Sequence, residues 1–199
     1  MFVKYSATLC PGLLRSSYKK RRKDMAYNMH AFQPYPIEQL EFNVFTRLKD
    51  DWGTITTEVN GKVNTMTASW GTVGRLWDKN VVCIFVRDSR YTREMLDNSE
   101  FFSLSFFDME KKENRMALKV FGSVSGRNED KIEAAHFHVN HKKNIPFLDE
   151  SNFVFLCHKL SCTLISEETI FDKQVLKKFY EDGDYHFLYV GEIMEVMAR

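Results

Sequence analysis

The dipeptide Asn60-Gly61, set between two runs rich in β-branched and aromatic residues, constrains this chain more than any other feature. A two-residue type I′ turn needs positive φ at both central positions, and Asn-Gly adopts it at the lowest steric cost. The spacing predicts a strand over Trp52 to Val59, a tight reversal, and a returning strand over Val63 to Trp70. The fold must therefore contain an antiparallel sheet.

The rest of the chain extends that reading. Ile37, Leu40, Val44, Phe45 and Leu48 recur at helical spacing behind Pro36, a residue suited to a first turn. Val81 to Val86 is a nearly continuous apolar run and predicts a buried strand. Tyr91 to Asn98 reads as a short helix, Phe101 to Phe107 as a strand, and Glu110 to Leu118 as helix-compatible. Ser125 or Asn128 is a candidate cap for a helix through Asp130 to Phe137. Phe153 to Ile165 and His186 to Val196 complete the strands, the last preceded by the turn signal Asp182-Gly183-Asp184. About six strands with short inserted helices, without βαβ alternation or repeats, predict a mainly β fold, an antiparallel barrel decorated with helices.

Composition narrows the function classes. With 199 residues, 44% hydrophobic and 28% charged, the chain suits one domain. The expected division is a basic, disordered or extra N-terminal segment over 1–33 and a single domain over 34–199. The basic run Arg15 to Lys23 follows a weakly apolar opening, the reverse of a secretory signal; Met25 is read as the true start, the alternative being a basic tail with a role of its own. A net charge of +1 speaks against nucleic acid as a partner, and no run approaches the roughly 20 apolar residues of a membrane span. Cys10, Cys83, Cys157 and Cys162 lack both disulfide-framework and zinc-site spacing, so no metal is expected and a reducing cytoplasm suits them. Gly-x-Gly-x-x-Gly and Gly-x-x-x-x-Gly-Lys-Ser/Thr are absent, so a bound nucleotide must be held some other way.

Three segments carry the residue types of a flavin nucleotide site. Asn64-Thr65-Met66-Thr67-Ala68-Ser69-Trp70-Gly71 offers an amide, hydroxyls, a thioether and an indole within eight residues. A flavin needs hydrogen bonds at its pyrimidine edge and apolar contact over its rings. Arg87-Asp88-Ser89-Arg90-Tyr91-Thr92 joins a strand to a helix start and offers guanidiniums, hydroxyls and backbone amides, the groups a phosphate requires. Ser125-Gly126-Arg127-Asn128-Glu129-Asp130-Lys131 adds a hydroxyl and an ammonium. Each alone also reads as something ordinary: a polar strand edge, a solvated loop, a charged first helical turn.

In their order and spacing these motifs, with Tyr-His-Phe-Leu-Tyr-Val-Gly-Glu-Ile at 185–193, resemble the flavin reductase-like family of FMN-binding split barrels, which includes flavoredoxins. The resemblance runs from about Trp52 to Val196. It implies a six-stranded antiparallel Greek-key split barrel that forms a homodimer, with FMN near the subunit interface. It further implies that Asn64, Thr65, Met66, Thr67, Ser69 and Trp70 border the flavin. Arg87, Ser89, Arg90, Tyr91 and Thr92 would surround the phosphate, joined by Ser125 and Lys131. The family often has Asp where Asn128 stands. The expected activity is oxidoreduction, hydride passing from NADH or NADPH to flavin; the alternative is a flavoredoxin-like electron carrier between redox protein partners. No residue stands out as an obligatory acid or base, and His136, His138 and His158 are only weak candidates.

Overall fold

The Asn60-Gly61 reversal is in place, with φ of 52° and 79° at its two residues. It joins β2 (Gly53–Val59) to β3 (Lys62–Ala68) in register from Gly53↔Ala68 to Val59↔Lys62. The computed structural model describes residues 31–199, and Pro34–Ala198 form one compact unit. The expectation of a separate segment over 1–33 lies outside the described residues save its last three.

Ahead of this hairpin come β1 (Gln33–Pro34) and α1 (Val44–Thr46), which runs into a π-helical turn, Arg47–Asp51. After it come β4 (Gly71–Leu76), β5 (Lys79–Arg87), α2 (Tyr91–Asp97), β6 (Phe101–Phe106), α3 (Lys112–Ser123) and α4 (Lys131–Ala134). The chain ends with β7 (Val139–Lys142), β8 (Ile145–Leu148), β9 (Phe153–Leu164), α5 (Lys173–Phe179) and β10 (His186–Ala198). No described helix is long and apolar enough to cross a membrane.

The main sheet is antiparallel in the order β3-β2-β6-β9-β10-β5-β4. Its two margins, β3 and β4, are consecutive in sequence and separated only by Ser69 and Trp70. Seven flat strands would hold the margins about 29 Å apart at ~4.8 Å per strand. Two linking residues reach about 11 Å between Ala68 and Gly71. The sheet must therefore curl until the margins meet at one corner, yet β3 and β4 share no ladder. The result is a split barrel rather than a closed one.

Residue alternation builds the interior. Met66, Ile55, Leu104, Phe155 and Val196 are successive cross-strand partners and form one row of the main core. The adjacent row, Thr65, Thr56 and Ser103, faces the other way. Over that outer face lies a second core of Phe107, Ala117, Leu118, Phe121, Ile132, Phe137 and Leu148, contributed largely by α3, α4 and β8.

The expected six strands become ten among the described residues. Those missed, β4, β7 and β8 above all, turn through Trp77-Asp78 and Lys143-Asn144, both pairs with φ between 52° and 61°. These are the backbone angles that Asn-Gly advertises, adopted without glycine. The helix expected across Ile37 to Leu48 is instead broken into Ile37–Gln39, α1 and the π-turn. Phe42 lies outside the apolar stripe, and the chain unwinds around it to set its ring 5.1–5.3 Å from those of Phe106, Phe153 and Phe155. The helix expected to reach Phe137 stops at Ala134, capped at its start by Asp130; His136, at φ 57°, then turns the chain so that Phe137 enters the second core.

Candidate functional site

Between β3, the start of α2 and the turn after α3 lies a cavity of about 190 Å3. It gathers residues from three distant stretches: Asn64 and Met66, then Ser89 to Thr92, then Ser125, Gly126 and Lys131. Buried Asn64 donates from Nδ2 to Thr92 Oγ1 at 2.8 Å, tying β3 to the first turn of α2. A Cβ at Gly126 would fall 2.0 Å from Asn64 Oδ1, so only glycine lets the chain pass there.

Lys131 enters from α4 and is buried, its Nζ donating to the carbonyls of Phe121 and Val124 at 3.0 Å each. Burial, then the nearby Arg90 guanidinium, lowers its pKa from 10.5 to about 8. It is still a cation at neutral pH, held in a wall whose other polar side chains are amide, hydroxyl and guanidinium groups, with no carboxylate among them. Such a lining suits a compact anion. Tyr91 forms part of the wall and is itself flanked by Lys62 Nζ and Arg127, at 4.8 and 5.3 Å from its ring centre.

Met66 and Arg90 also line a second hollow of about 240 Å3, which continues along Thr67, Ala68, Ser69 and Trp70 and is closed by Phe85, Phe179 and His186. Among the described residues β3 pairs with β2 alone, so its outer edge keeps backbone N–H and C=O groups outside any ladder they form. The slot thus offers backbone hydrogen bonds beside apolar walls. Trp70 is held there by His186, 4.9 Å away, and by Phe179, edge-on at 5.4 Å.

His186 was not singled out by sequence reasoning. Burial, reinforced by Arg87, lowers its pKa to about 4, so it is neutral near pH 7. Its Nδ1 lies 3.0 Å from the Tyr180 hydroxyl, whose own pKa burial raises. Tyr180 therefore keeps its proton, and the hydroxyl and the neutral ring share one hydrogen bond that fixes the orientation of the imidazole.

Several anticipated residues sit elsewhere or do other work. Arg87 lines the slot rather than the polar cavity; its guanidinium donates to the carbonyls of Asp184 (2.7 Å) and Phe179 (2.9 Å). Ser89 does line the polar cavity, but its backbone N–H and hydroxyl both donate to the Asp184 carboxylate. Thr65 lines neither hollow: it is fully buried on the outer face, with Oγ1 3.0 Å from Thr56 Oγ1. Thr67 lines the slot while its hydroxyl donates to Leu118 O. Among the histidines, His138 pairs with Glu150, His158 packs on Phe101, and neither they nor His136 line the two hollows.

Phe179, Tyr180, Asp184 and His186 approach from about 90 residues beyond Arg87. No local spacing signals that meeting; only the antiparallel pairing His186↔Arg87 creates it. Among the described residues, no three or more His, Cys, Asp or Glu side chains are grouped to hold a metal.

A small polar cavity beside a slot walled by strand edge and aromatic rings, the two sharing Met66 and Arg90, fits a nucleotide with one phosphate and a flat, hydrogen-bonding ring system. Comparisons with known proteins bear on that geometry. The FMN-binding domain of a flavin reductases-like enzyme from Shewanella baltica superposes with a TM-score of 0.60 at 13% identity, covering 84% of this chain and 77% of that one. Flavoredoxin from Methanosarcina acetivorans gives 0.57 at 20% identity, covering 75% and 68%. An FMN-binding protein from Thermus thermophilus gives 0.58 at 22%, covering 84% and 82%. At these identities the likeness is one of fold. No curated protein matches the sequence. The family profile described as flavin reductase like domain matches residues 47–199, more than half of the sequence. The chain belongs to the flavin reductase-like domain family.

Proposed function

We propose that this protein binds FMN and acts as an oxidoreductase that passes hydride from NADH or NADPH to flavin. The observation that carries the reading is that the polar cavity around Asn64, Thr92 and Lys131 and the slot along Met66 to Trp70 are neighbours, with Met66 and Arg90 lining both. The residues fit the group. Arg90, Thr92, Ser125 and Lys131 offer charge and donors for the phosphate, and Gly126 leaves the space beside Asn64 open. Met66, Trp70 and Phe85 offer the apolar faces, and the free edge of β3 offers hydrogen bonds. FMN-binding relatives among the structural neighbours support the same cofactor.

When bound, FMN supplies reversible hydride and electron chemistry, so the protein has only to orient the partners and control access. Neutral His186, its ring oriented by Tyr180, offers the slot a polar wall without adding charge.

Stopped-flow mixing of FMN-loaded protein with NADH and NADPH tests the activity. Bleaching of the oxidised flavin band within milliseconds to seconds is expected with one of them. If neither bleaches the band while reduced ferredoxin does, the protein is a carrier between redox proteins and not a reductase. A protein that stays colourless when mixed with FMN removes the cofactor itself.

We further propose a homodimer, a reading supported by the exposed side chains of Leu76, Trp77 and Phe171. The free thiols of Cys83, Cys157 and Cys162 favour the cytoplasm as its compartment. Analytical ultracentrifugation tests the dimer.

A further inference from the structure

The flavin slot shares Ser69, Trp70 and Phe85 with a third hollow, of about 770 Å3, whose remaining walls come from α1, the Arg47–Asp51 turn, Trp52, β4, Ile165 and Tyr180. That volume lies within the range of about 300–1,000 Å3 typical of small-molecule sites. Phe45, Trp52, Trp70, Phe85 and Tyr180 give it a strongly aromatic lining, and Lys49 is its one charged side chain.

Two observations mark the hollow as more than a packing defect. Phe45 is 84% exposed, and Trp52 and Trp70 are each 42% exposed, so three large rings that could have been buried are presented to the same space. Trp52 also holds φ 58° and ψ 163°, a combination almost confined to glycine. A bulky residue kept in that conformation at the rim of a hollow is strain without a packing reward, since its ring remains half exposed.

The lining selects the occupant. It holds no carboxylate, so it does not attract cations. Lys49 alone, pointing to solvent beside Asp50, is a poor match for the diphosphate of a dinucleotide. Flat aromatic walls favour stacking or edge contacts with a flat ring. We propose that this hollow is the site of an uncharged planar ring compound of the quinone class, held next to the flavin slot with Trp70 as the common wall. The proposal rests on the FMN reading above, since it gives that site its second substrate.

Calorimetric titration with duroquinone tests it; its four ring positions carry methyl groups and do not add the thiols of Cys83 or Cys162. The FMN-loaded protein is expected to bind duroquinone. Phe45→Ala and Trp52→Gly are each expected to weaken that binding about 2- to 10-fold, the worth of one aromatic contact, and to leave FMN affinity unchanged. Both variants suit the fold: Phe45 is mostly in solvent, and glycine is the residue the backbone at 52 prefers. FMN uptake without duroquinone binding overturns this inference alone. So does a changed sedimentation coefficient in the two variants at unaltered duroquinone affinity, which would make the hollow an interface between copies. Failure to take up FMN overturns the cofactor reading and this inference with it.

Discussion

Gly126 passes so close to Asn64 that a single methyl group there would stand 2.0 Å from the amide oxygen. The same amide donates to Thr92, so one contact governs how β3 meets α2. Gly126→Ala is expected to push Asn64 off Thr92, reduce FMN affinity, and destabilise the fold by about 1–3 kcal/mol, the penalty for leaving a buried polar group unpaired. Fluorescence titration with FMN and urea unfolding read the two effects. Gly74→Ala is the control, since nothing lies within 4 Å of a Cβ there; equal behaviour of the two variants would show that the contact is unimportant.

Arg90 and Arg87 are expected to separate. Arg90 lines both hollows, whereas Arg87 is anchored on the Asp184 and Phe179 carbonyls. Arg90→Ala should weaken FMN about tenfold or more and riboflavin far less, because only FMN carries a phosphate to receive a charge-assisted bond. Arg87→Ala should weaken both ligands alike and lower the melting temperature. A phosphate-selective loss in Arg87→Ala would reverse the two roles.

Lys131 makes FMN binding pH-dependent. With a pKa of about 8 in the free protein, it is charged at pH 7 and loses its proton as pH rises through 8. A phosphate stabilises the charged form, so FMN affinity should fall by up to about tenfold per pH unit above 8, while riboflavin affinity stays flat. Lys131→Met should remove the slope. Folding stability runs the opposite way: the unfolded lysine, near 10.5, holds its proton where the folded one has lost it. Stability therefore rises with pH between about 8 and 10.5.

His186 gives a signal on the acid side. Its folded pKa of about 4 lies below the ordinary 6.5, so between those values the unfolded chain binds a proton that the folded chain refuses. Stability should drop as pH falls from 6.5 toward 4. His186→Gln should flatten that part of the melting-temperature profile, and an unchanged profile would mean that another group is responsible.

The sequence was most legible where local chemistry and tertiary fate agree. Asn60-Gly61, the strand after it and the apolar strands β5, β6, β9 and β10 all announce themselves through turn preference or burial. Trp77-Asp78 and Lys143-Asn144 do not, because their positive φ angles are imposed by hairpins whose strands are largely exposed or lie outside the main sheet. In the candidate site, Asn64, Thr92, Ser125 and Lys131 come from three motifs and line one cavity. Thr65 and Thr67 are the same residue type on the same face of β3, and only the tertiary burial of Thr65 against Thr56 keeps it from the slot that Thr67 lines. The pairing that commits Arg87 to Asp184 and brings His186 to Trp70 spans about a hundred residues, a distance over which residue type alone carries no information about contact.

Ser69 and Trp70 act as the clasp of an otherwise unfastened collar. Because the two margins of the sheet meet only through these residues, whatever rests against them also governs how far the collar can open. A ligand seated on both sides of Trp70 would pin the first margin to the last, so cofactor loading should be felt as reduced hydrogen exchange along β3 and β4 together, far beyond the atoms it touches.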